Sequence, residues 1–234
     1  MINYPNDEIT VPTSYTIHGK RLALVPFNET TDASVQRILS CPETMKYLMF
    51  MAKAPEGWSH EEVVERRKNR ERLNALGEDL SFAIAITVKN LGSLVDKFSK
   101  EEILKAGTNG IDEDFVIIGH CGLKDIDLRS ANAEVGIILD HRMWKGGYGS
   151  EAIYHCLQTS FDVLKLHKVV FKTTKDNIPM RKWLEKVAKV PLEYVLSEVL
   201  VMDNHYIDSY EYAIYETQWN SYLKKELVEW LELE

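Results

Sequence analysis

A glycine-rich run, WKGGYGS at Trp144–Ser150, contains the residue types that point most directly to chemistry. It precedes an amphipathic stretch in which Ile153, Leu157 and Phe161 share one helical face. The first turn of such a helix carries backbone N–H groups without intrahelical partners, and glycines let a ligand approach that backbone closely. The run therefore predicts a pyrophosphate-binding site.

Two known phosphate-binding patterns can be compared with this run. A P-loop is excluded because no glycine is followed by the required Lys and then Ser or Thr. The dinucleotide fingerprint fits the spacing of Gly147, Gly149 and Ala152, with Asp176 at the end of the next predicted strand. That fingerprint normally follows its strand almost at once, whereas seven residues separate Leu139 from Gly147. A nicotinamide-dependent oxidoreductase using these glycines therefore stays open as an alternative.

The elements that would position the glycine run form a strand, loop, helix, strand unit. Its strands are Ala133–Leu139 and Lys168–Thr173, and a helix between them favours a right-handed crossover between parallel strands. The same patterns predict three further strands, Arg21–Val25, Leu80–Val88 and Phe115–Leu123, and a hairpin of Tyr194–Met202 with Ser209–Tyr215. They also predict three other main helices, Thr31–Ser40, His60–Leu76 and Trp219–Leu231. We expect a mixed, largely antiparallel sheet, not repeated βαβ units.

Three segments stand apart from this pattern. Residues 1–14 are polar with two prolines and predict an N-terminal arm, which leaves one domain over 15–234. Residues 89–114 predict an insertion between two strands, with a short helix after the capping box of Ser99 and Glu102. The charged sequence ERRKNRER at Glu65–Arg72 predicts a solvated helix surface with internal ion pairs.

Composition excludes several classes of protein. With 45% hydrophobic and 27% charged residues, the chain is neither disordered nor collagen-like. A net charge of -8 argues against a general nucleic-acid surface, and we expect neither a membrane span nor a secretory signal. Cys41, Cys121 and Cys156 lack metal-ligand spacing, which suits reduced thiols in the cytoplasm and predicts no metal site. The oligomeric state stays open.

The segment EVGIILDHRMWKGGYGSEA resembles the acyl-CoA loop of the GNAT N-acetyltransferase superfamily, in its RimJ/RimL-like branch of ribosomal-protein N-terminal acetyltransferases. The segments RLALVPFN, PETMKYL, VIIGHCGLKDID and HKVVFKTTKDN resemble that branch's successive elements, in order. The resemblance covers the chain from about Tyr15 to Trp219. It implies an α/β (α+β) fold: a single GNAT-like domain with a mixed, mostly antiparallel sheet and helices on both faces.

The resemblance also implies the cofactor-binding residues for acetyl-CoA. Backbone groups of Ile138 and Leu139 correspond to those that bind the pantetheine arm, and Asn177 matches an asparagine near it. Arg142 is a further candidate for a phosphate contact. The amides that correspond to the pyrophosphate site are those of Lys145, Gly146, Gly147, Tyr148, Gly149 and Ser150.

Two candidates for the catalytic base follow. Glu134 matches a glutamate common in the family and shares a strand face with Gly136 and Ile138, although a structural carboxylate bonded to a neighbouring strand stays an open alternative. His120 lies in an apolar strand and has a pKa suited to proton transfer, but a lone histidine in a strand is more often a core residue.

Two departures from the family pattern concern the general acid. Leu184 stands where many members have tyrosine, and Met180 where this branch often has serine; neither can protonate a thiolate. The sequence thus predicts an N-acetyltransferase that transfers an acetyl group to a primary amine of a peptide N-terminus or small molecule by direct attack. The alternatives are the oxidoreductase and a non-catalytic acyl-CoA-binding module.

Overall fold

A single mixed sheet organises the part of the chain that the computed structural model describes, residues 9–13, 15–53, 55–202 and 204–233. Its strands are β1 (Ile17–His18), β2 (Leu22–Pro26), β3 (Asp79–Thr87), β4 (Phe115–Asp127), β5 (Asn132–Leu139), β6 (Lys168–Thr174), β7 (Leu192–Met202) and β8 (His205–Tyr215). They lie in the order β1-β2-β3-β4-β5-β6-β8-β7, and among these described strands β5 and β6 are the one parallel pair. This confirms the predicted mostly antiparallel sheet and removes the repeated βαβ architecture of the oxidoreductase alternative.

The helices cover both faces of the sheet. They are α1 (Glu29–Leu39), α2 (Pro42–Met45), α3 (His60–Ala75), α4 (Val88–Leu91), α5 (Tyr148–Gln158), α6 (Ile178–Lys182), α7 (Glu216–Gln218) and α8 (Lys224–Leu231). Turns of π-helix extend three of them, at Thr159–Val163, Trp183–Val187 and Trp219–Leu223.

Strand β5 contributes one set of side chains to each face of the sheet. Ile137 and Leu139 pack with α5 in one hydrophobic core, whereas Ile138 packs with α1 and α3 in a second. Because side chains alternate along a strand, Glu134 and Gly136 share the second face with Ile138. We call the first face the α5 face and the second the α1/α3 face.

Strands β5 and β6 separate after a short paired stretch. Their register runs from Asn132 opposite Lys168 to Glu134 opposite Val170 and then stops. β6 stays paired with β8 as far as Thr174. It therefore loses its partner only on the side that faces β5. Residues 135–139 of β5 consequently present a strand edge to a crevice that opens directly beneath the glycine run.

Three expectations need correction or restriction. Ser99 and Glu102 do form a capping box, but the helix that follows is one 3₁₀ turn, Lys100–Glu102, because Ile103 is extended and Leu104 pairs with Phe115. The helix surface at Glu65–Arg72 is not simply solvated: Arg67 turns inward and its side chain is only 10% exposed. Of the predicted arm, residues 1–8 and 14 lie outside the described residues, and Val11 is buried in the core.

Candidate active site

The glycine run forms a tight turn from the end of β5 into α5. Asp140 caps a 3₁₀ turn over His141–Met143, and the chain then reaches α5 through Lys145 and Gly147, both with positive φ (65° and 78°). Gly147 is the residue before the first turn of the helix, so the following amides point out of the helix end. At Gly146 an added Cβ would lie 2.5 Å from the Tyr148 ring. The turn thus depends on a small residue at one position and on a left-handed conformation at the next.

Arg21 fastens the glycine run to the start of β2. Its backbone N–H and its Nε donate to the two oxygens of the buried Glu151 at 2.8 and 2.7 Å. Its Nη1 donates to the carbonyl oxygen of Gly146 at 2.8 Å, and the guanidinium lies over the Tyr148 ring. The sequence reasoning missed this pair; a glutamate beside apolar helix residues was the signal that a buried cation had to face it.

Other contacts hold the two ends of the turn. The indole Nε1 of Trp144 donates to the carbonyl oxygen of Leu139 at 2.8 Å, and Trp183 donates to the hydroxyl of Ser150 at 3.0 Å. Asn177 caps α6 by accepting a hydrogen bond from the Met180 amide, at the end of β6 across the crevice. The structure therefore places Ile138 and Leu139 at the end of β5, the 145–150 run after it, and Asn177 after the end of the neighbouring strand β6.

Arg142 belongs to an ion cluster and has its nitrogens engaged there. Its guanidinium donates to Asp140, to Glu102 and to the carbonyl oxygen of Lys97. Arg37 of α1 also pairs with both carboxylates. Burial raises the pKa of Asp140, but the hydrogen bonds from Arg142 and Arg37 outweigh it and bring that pKa to about 2. The cluster ties α1 and the 89–114 insertion to the end of β5.

Glu134 lies on the α1/α3 face between two lysines. It is 8% exposed, and its oxygens lie 2.6 Å from Nζ of Lys124 and 3.0 Å from Nζ of Lys172. Burial lowers the pKa of Lys172, but the hydrogen bond and charge of Glu134 outweigh it and raise that pKa above its usual value. Glu134 is thus a charge-compensated carboxylate at the point where β5 and β6 separate.

His120 lies deeper on the same face. It is 6% exposed, its ring meets Phe27 edge-on, and neither ring nitrogen has a hydrogen-bond partner among the described residues. Burial, helped by the charges of Arg66 and Arg70, lowers its pKa well below the usual value, so the ring is neutral at pH 7. His120 pairs with Ile138 whereas Lys124 pairs with Glu134. Four residues of β4 therefore separate the two candidate bases, about 13 Å along the strand.

The two positions where the family has a general acid, Leu184 and Met180 here, have hydrophobic surroundings in the structure. Leu184 is fully buried and Met180 packs against the same core. Leu184 is thus part of the hydrophobic packing beneath β6.

A protein-family model described as an acetyltransferase (GNAT) domain matches residues 21–188. The chain belongs to the GNAT acetyltransferase family. A relative from Bacillus licheniformis, an uncharacterized N-acetyltransferase p20, is 32% identical over 72 residues, or 31% of this chain. The matched segment spans 40% of that relative's length.

Two solved structures share the fold. RimJ from Mycobacterium smegmatis, in complex with CoA-disulfide, superposes with a TM-score of 0.70 at 16% identity, covering 92% of this chain and 94% of its own. Spermidine N-acetyltransferase from Vibrio cholerae, in complex with CoA and spermine, gives 0.63 at 17% identity, covering 86% and 99%. These values establish a single GNAT-fold domain with an open, mostly antiparallel sheet.

The GNAT family uses acetyl-CoA. No cluster of three or more His, Cys, Asp or Glu side chains with metal-binding geometry occurs in the described ranges. None of the helices within those ranges is long and apolar enough to cross a membrane.

Proposed function

We propose that this chain is an acetyl-CoA-dependent N-acetyltransferase of the RimJ/RimL type that acetylates a primary amine of a peptide N-terminus or small molecule by direct attack. The observation that carries the proposal is the separation of β5 from β6 directly beneath the glycine turn. It gives an anion-binding helix end and an unpaired strand edge in one continuous crevice.

Each part of the crevice has a role in this function. The amides of the 145–150 run bind the pyrophosphate, and the α5 dipole favours its charge. The backbone of Ile138 and Leu139 pairs with the amide groups of the pantetheine arm, as a neighbouring strand would. Asn177 borders the arm from the end of β6. Arg142 supports the turn through the ion cluster with Asp140.

The reaction forms one C–N bond and breaks one C–S bond. The neutral amine attacks the thioester carbonyl carbon, the tetrahedral intermediate expels the thiolate, and the amine gives up a proton. Glu134 accepts that proton, directly or through water, and His120, farther along the sheet, stays neutral. Because two lysines already stabilise the charge of Glu134, it acts best on amines that are close to neutral, such as α-amino groups, which lie within about 1 pKa unit of pH 7.

Departure of the thiolate does not require a strong acid. An unperturbed thiol has a pKa near 8.5, so leaving as the thiolate at pH 7 costs about 2 kcal/mol relative to leaving as the thiol. Met180 and Leu184 are therefore compatible with turnover. They also favour the second candidate, an acyl-CoA-binding module without turnover.

Two measurements test the proposal. Calorimetric titration with acetyl-CoA, CoA, NAD and NADP should show binding of the first two only. Turnover of a panel of amino acids, peptide N-termini and polyamines should then show acetylation. Binding without turnover of any amine would leave the acyl-CoA-binding module, and binding of NAD or NADP would contradict both.

A further inference from the structure

Charged and polar side chains on the α1/α3 face form a row across five strands, from β4 to β7. Lys124 of β4 lies 2.6 Å from one oxygen of Glu134 on β5, and Lys172 of β6 lies 3.0 Å from the other. Beyond Lys172, β8 carries Glu211 and β7 carries Tyr194 at paired positions. The candidate base therefore belongs to a row of charges that extends past its own two ion pairs.

Lys172 lies between two carboxylates. The sheet register places it directly opposite Glu211, and side chains that face each other in this way have Cβ atoms about 5 Å apart. Burial lowers the pKa of Lys172, but the hydrogen bond and charge of Glu134 outweigh it, and the charges of Glu211 and Asp125 act in the same direction as Glu134. A change of charge at Glu211 therefore alters how strongly Lys172 stabilises the charge of Glu134.

Glu211 is a buried carboxylate in a defined position. It is 3% exposed, and its Oε2 accepts a hydrogen bond from the hydroxyl of Tyr194 at 2.7 Å. That hydrogen bond raises the pKa of Tyr194, against the smaller effects of the charges of Lys168 and Lys172, so the hydroxyl stays a donor at pH 7. The 3₁₀ turn Met49–Met51, which packs against β7, brings no charged side chain to the row. Lys172 is thus the cation that faces Glu211 across the sheet.

A second set of lysine, glutamate and tyrosine side chains lies on the same three strands. Glu193 of β7 pairs with Lys168 of β6 at 2.8 Å and accepts a hydrogen bond from the hydroxyl of Tyr215 on β8 at 2.6 Å. On the β5 side, however, Lys168 faces the neutral Asn132 and not a carboxylate. The two sets therefore differ in whether the lysine connects its glutamate to Glu134, which makes the second set a natural control.

We propose that Glu211 is a positioning residue for the acetyl transfer, which shares the charge of Lys172 and so keeps Glu134 basic enough to take the proton of the amine. This inference rests on the proposed function, in which Glu134 is the base. The proton moves from the amine nitrogen to an oxygen of Glu134 and then to water, and Glu211 takes up none. Without the charge of Glu211, Lys172 stabilises ionised Glu134 more strongly, and a carboxylate stabilised in this way is a weaker base.

The pH profile of kcat/KM tests this role in Glu211→Gln. The amide oxygen can still accept the hydrogen bond from Tyr194, so the variant loses the charge and keeps the contact. At low ionic strength, the acid limb of the profile should move to lower pH by about 0.5 unit, and the plateau should fall by about twofold to threefold. Wild type and variant are compared on one acceptor amine, so that the titration of the amine itself is the same in both. The acetyl-CoA dissociation constant should not change.

Two further variants separate this role from a structural one. Glu193→Gln alters the set of side chains that ends at Asn132, so it should move the acid limb by less than about 0.2 unit. Tyr194→Phe removes a hydrogen bond from Glu211 and keeps its charge, so the limb should not move to lower pH. An unmoved limb in Glu211→Gln, or an equal shift to lower pH in either of the other two variants, overturns the proposal.

A second readout does not depend on turnover. In protein labelled with ¹³C at the glutamate carboxyl carbons, NMR follows the titration of each carboxyl group, and the signal lost in Glu134→Gln identifies Glu134. The midpoint of that titration should fall in Glu211→Gln by about as much as the acid limb, and stay in place in Glu193→Gln. If no amine is acetylated, the proposed function fails while this shift still supports the coupling of Glu211 to Glu134. A midpoint that does not move in Glu211→Gln overturns the inference whatever the activity.

Discussion

The two faces of β5 satisfy their polar groups in different ways. On the α5 face the groups that hold the glycine turn are paired within the chain: Glu151 with Arg21 and Ser150 with Trp183. On the α1/α3 face, Arg66, His120 and the indole of Trp58 lack such partners among the described residues. The groups that hold the glycine turn are therefore fixed by contacts within the chain, whereas these three groups of the α1/α3 face are not.

Glu134→Gln should have the largest effect and tests whether the α1/α3 face carries the chemistry. The amide keeps the shape but loses basicity, so turnover should fall about 10²-fold or more while acetyl-CoA binding persists. The loss should shrink as pH rises toward the pKa of the amine, because more substrate then arrives neutral. A steady-state pH profile with calorimetry measures both.

The competing outcome for Glu134 is specific. A structural carboxylate predicts a lower melting temperature and a loss of activity that does not vary with pH. Near-normal turnover of Glu134→Gln, together with loss in His120→Gln at intact cofactor binding, would move the base to His120.

Glu151→Gln tests the internal pairing on the α5 face. It leaves the partly exposed guanidinium of Arg21 facing a neutral amide in a fully buried position, which should lower the free energy of unfolding by about 2 kcal/mol. Urea denaturation measures the change. Glu232→Gln, which breaks an exposed pair with Lys20, is the control and should stay within about 0.5 kcal/mol. Equal losses in the two variants would remove the contrast between the faces.

His120 should make the free energy of unfolding depend on pH. The folded pKa lies well below the usual value of 6.5, so the unfolded chain takes up a proton first as pH falls through 6.5. Stability is then lost on the acid side, at about 1.4 kcal/mol per pH unit for one proton. His120→Gln should reduce this slope between pH 6.5 and 5, a difference of about 2 kcal/mol at pH 5 in urea titrations. An unchanged slope in His120→Gln would contradict a folded-state pKa below 6.5 for this ring.

Gly147→Val is expected to have the smallest of these effects and tests whether the preformed turn is an anion site. A bulky side chain beside the α5 amides should raise the acetyl-CoA dissociation constant at least tenfold, about 1.4 kcal/mol. Gly107→Val is a matched control, since Gly107 has a similar φ of 85° and open space around its Cβ position. An unchanged dissociation constant in folded Gly147→Val would exclude the turn from the site.

Local patterns in the sequence predicted the parts that depend on neighbouring residues. Glycines and helical periodicity located the turn and α5, and alternation placed Glu134 on one face with Ile138, as the structure confirms. The capping box at Ser99 was also correct, but the helix after it is a single 3₁₀ turn, Lys100–Glu102, and does not reach Gly107 because Leu104 pairs with Phe115. Local signals indicate where an element begins more reliably than what its end will contact.

The charges of the site could not be predicted in this way. Arg21 and Glu151 are 130 residues apart, and nothing in either segment identifies the partner. A run such as ERRKNRER carries charge on every side, so periodicity does not show which arginine faces the sheet. Only the fold distinguishes Arg66 from Arg67 and Arg70.

Because β5 and β6 pair at only three positions, a ligand bound between them would add to the stability of the folded chain. A ligand that fills the crevice and does not bind the unfolded chain adds stability by mass action, about 2.7 kcal/mol at a concentration of 100 times its dissociation constant. With acetyl-CoA in that place, as proposed, chains made during acetyl-CoA scarcity would open more often and meet proteases sooner. The abundance of the protein would then follow the acetyl-CoA pool without any dedicated regulator.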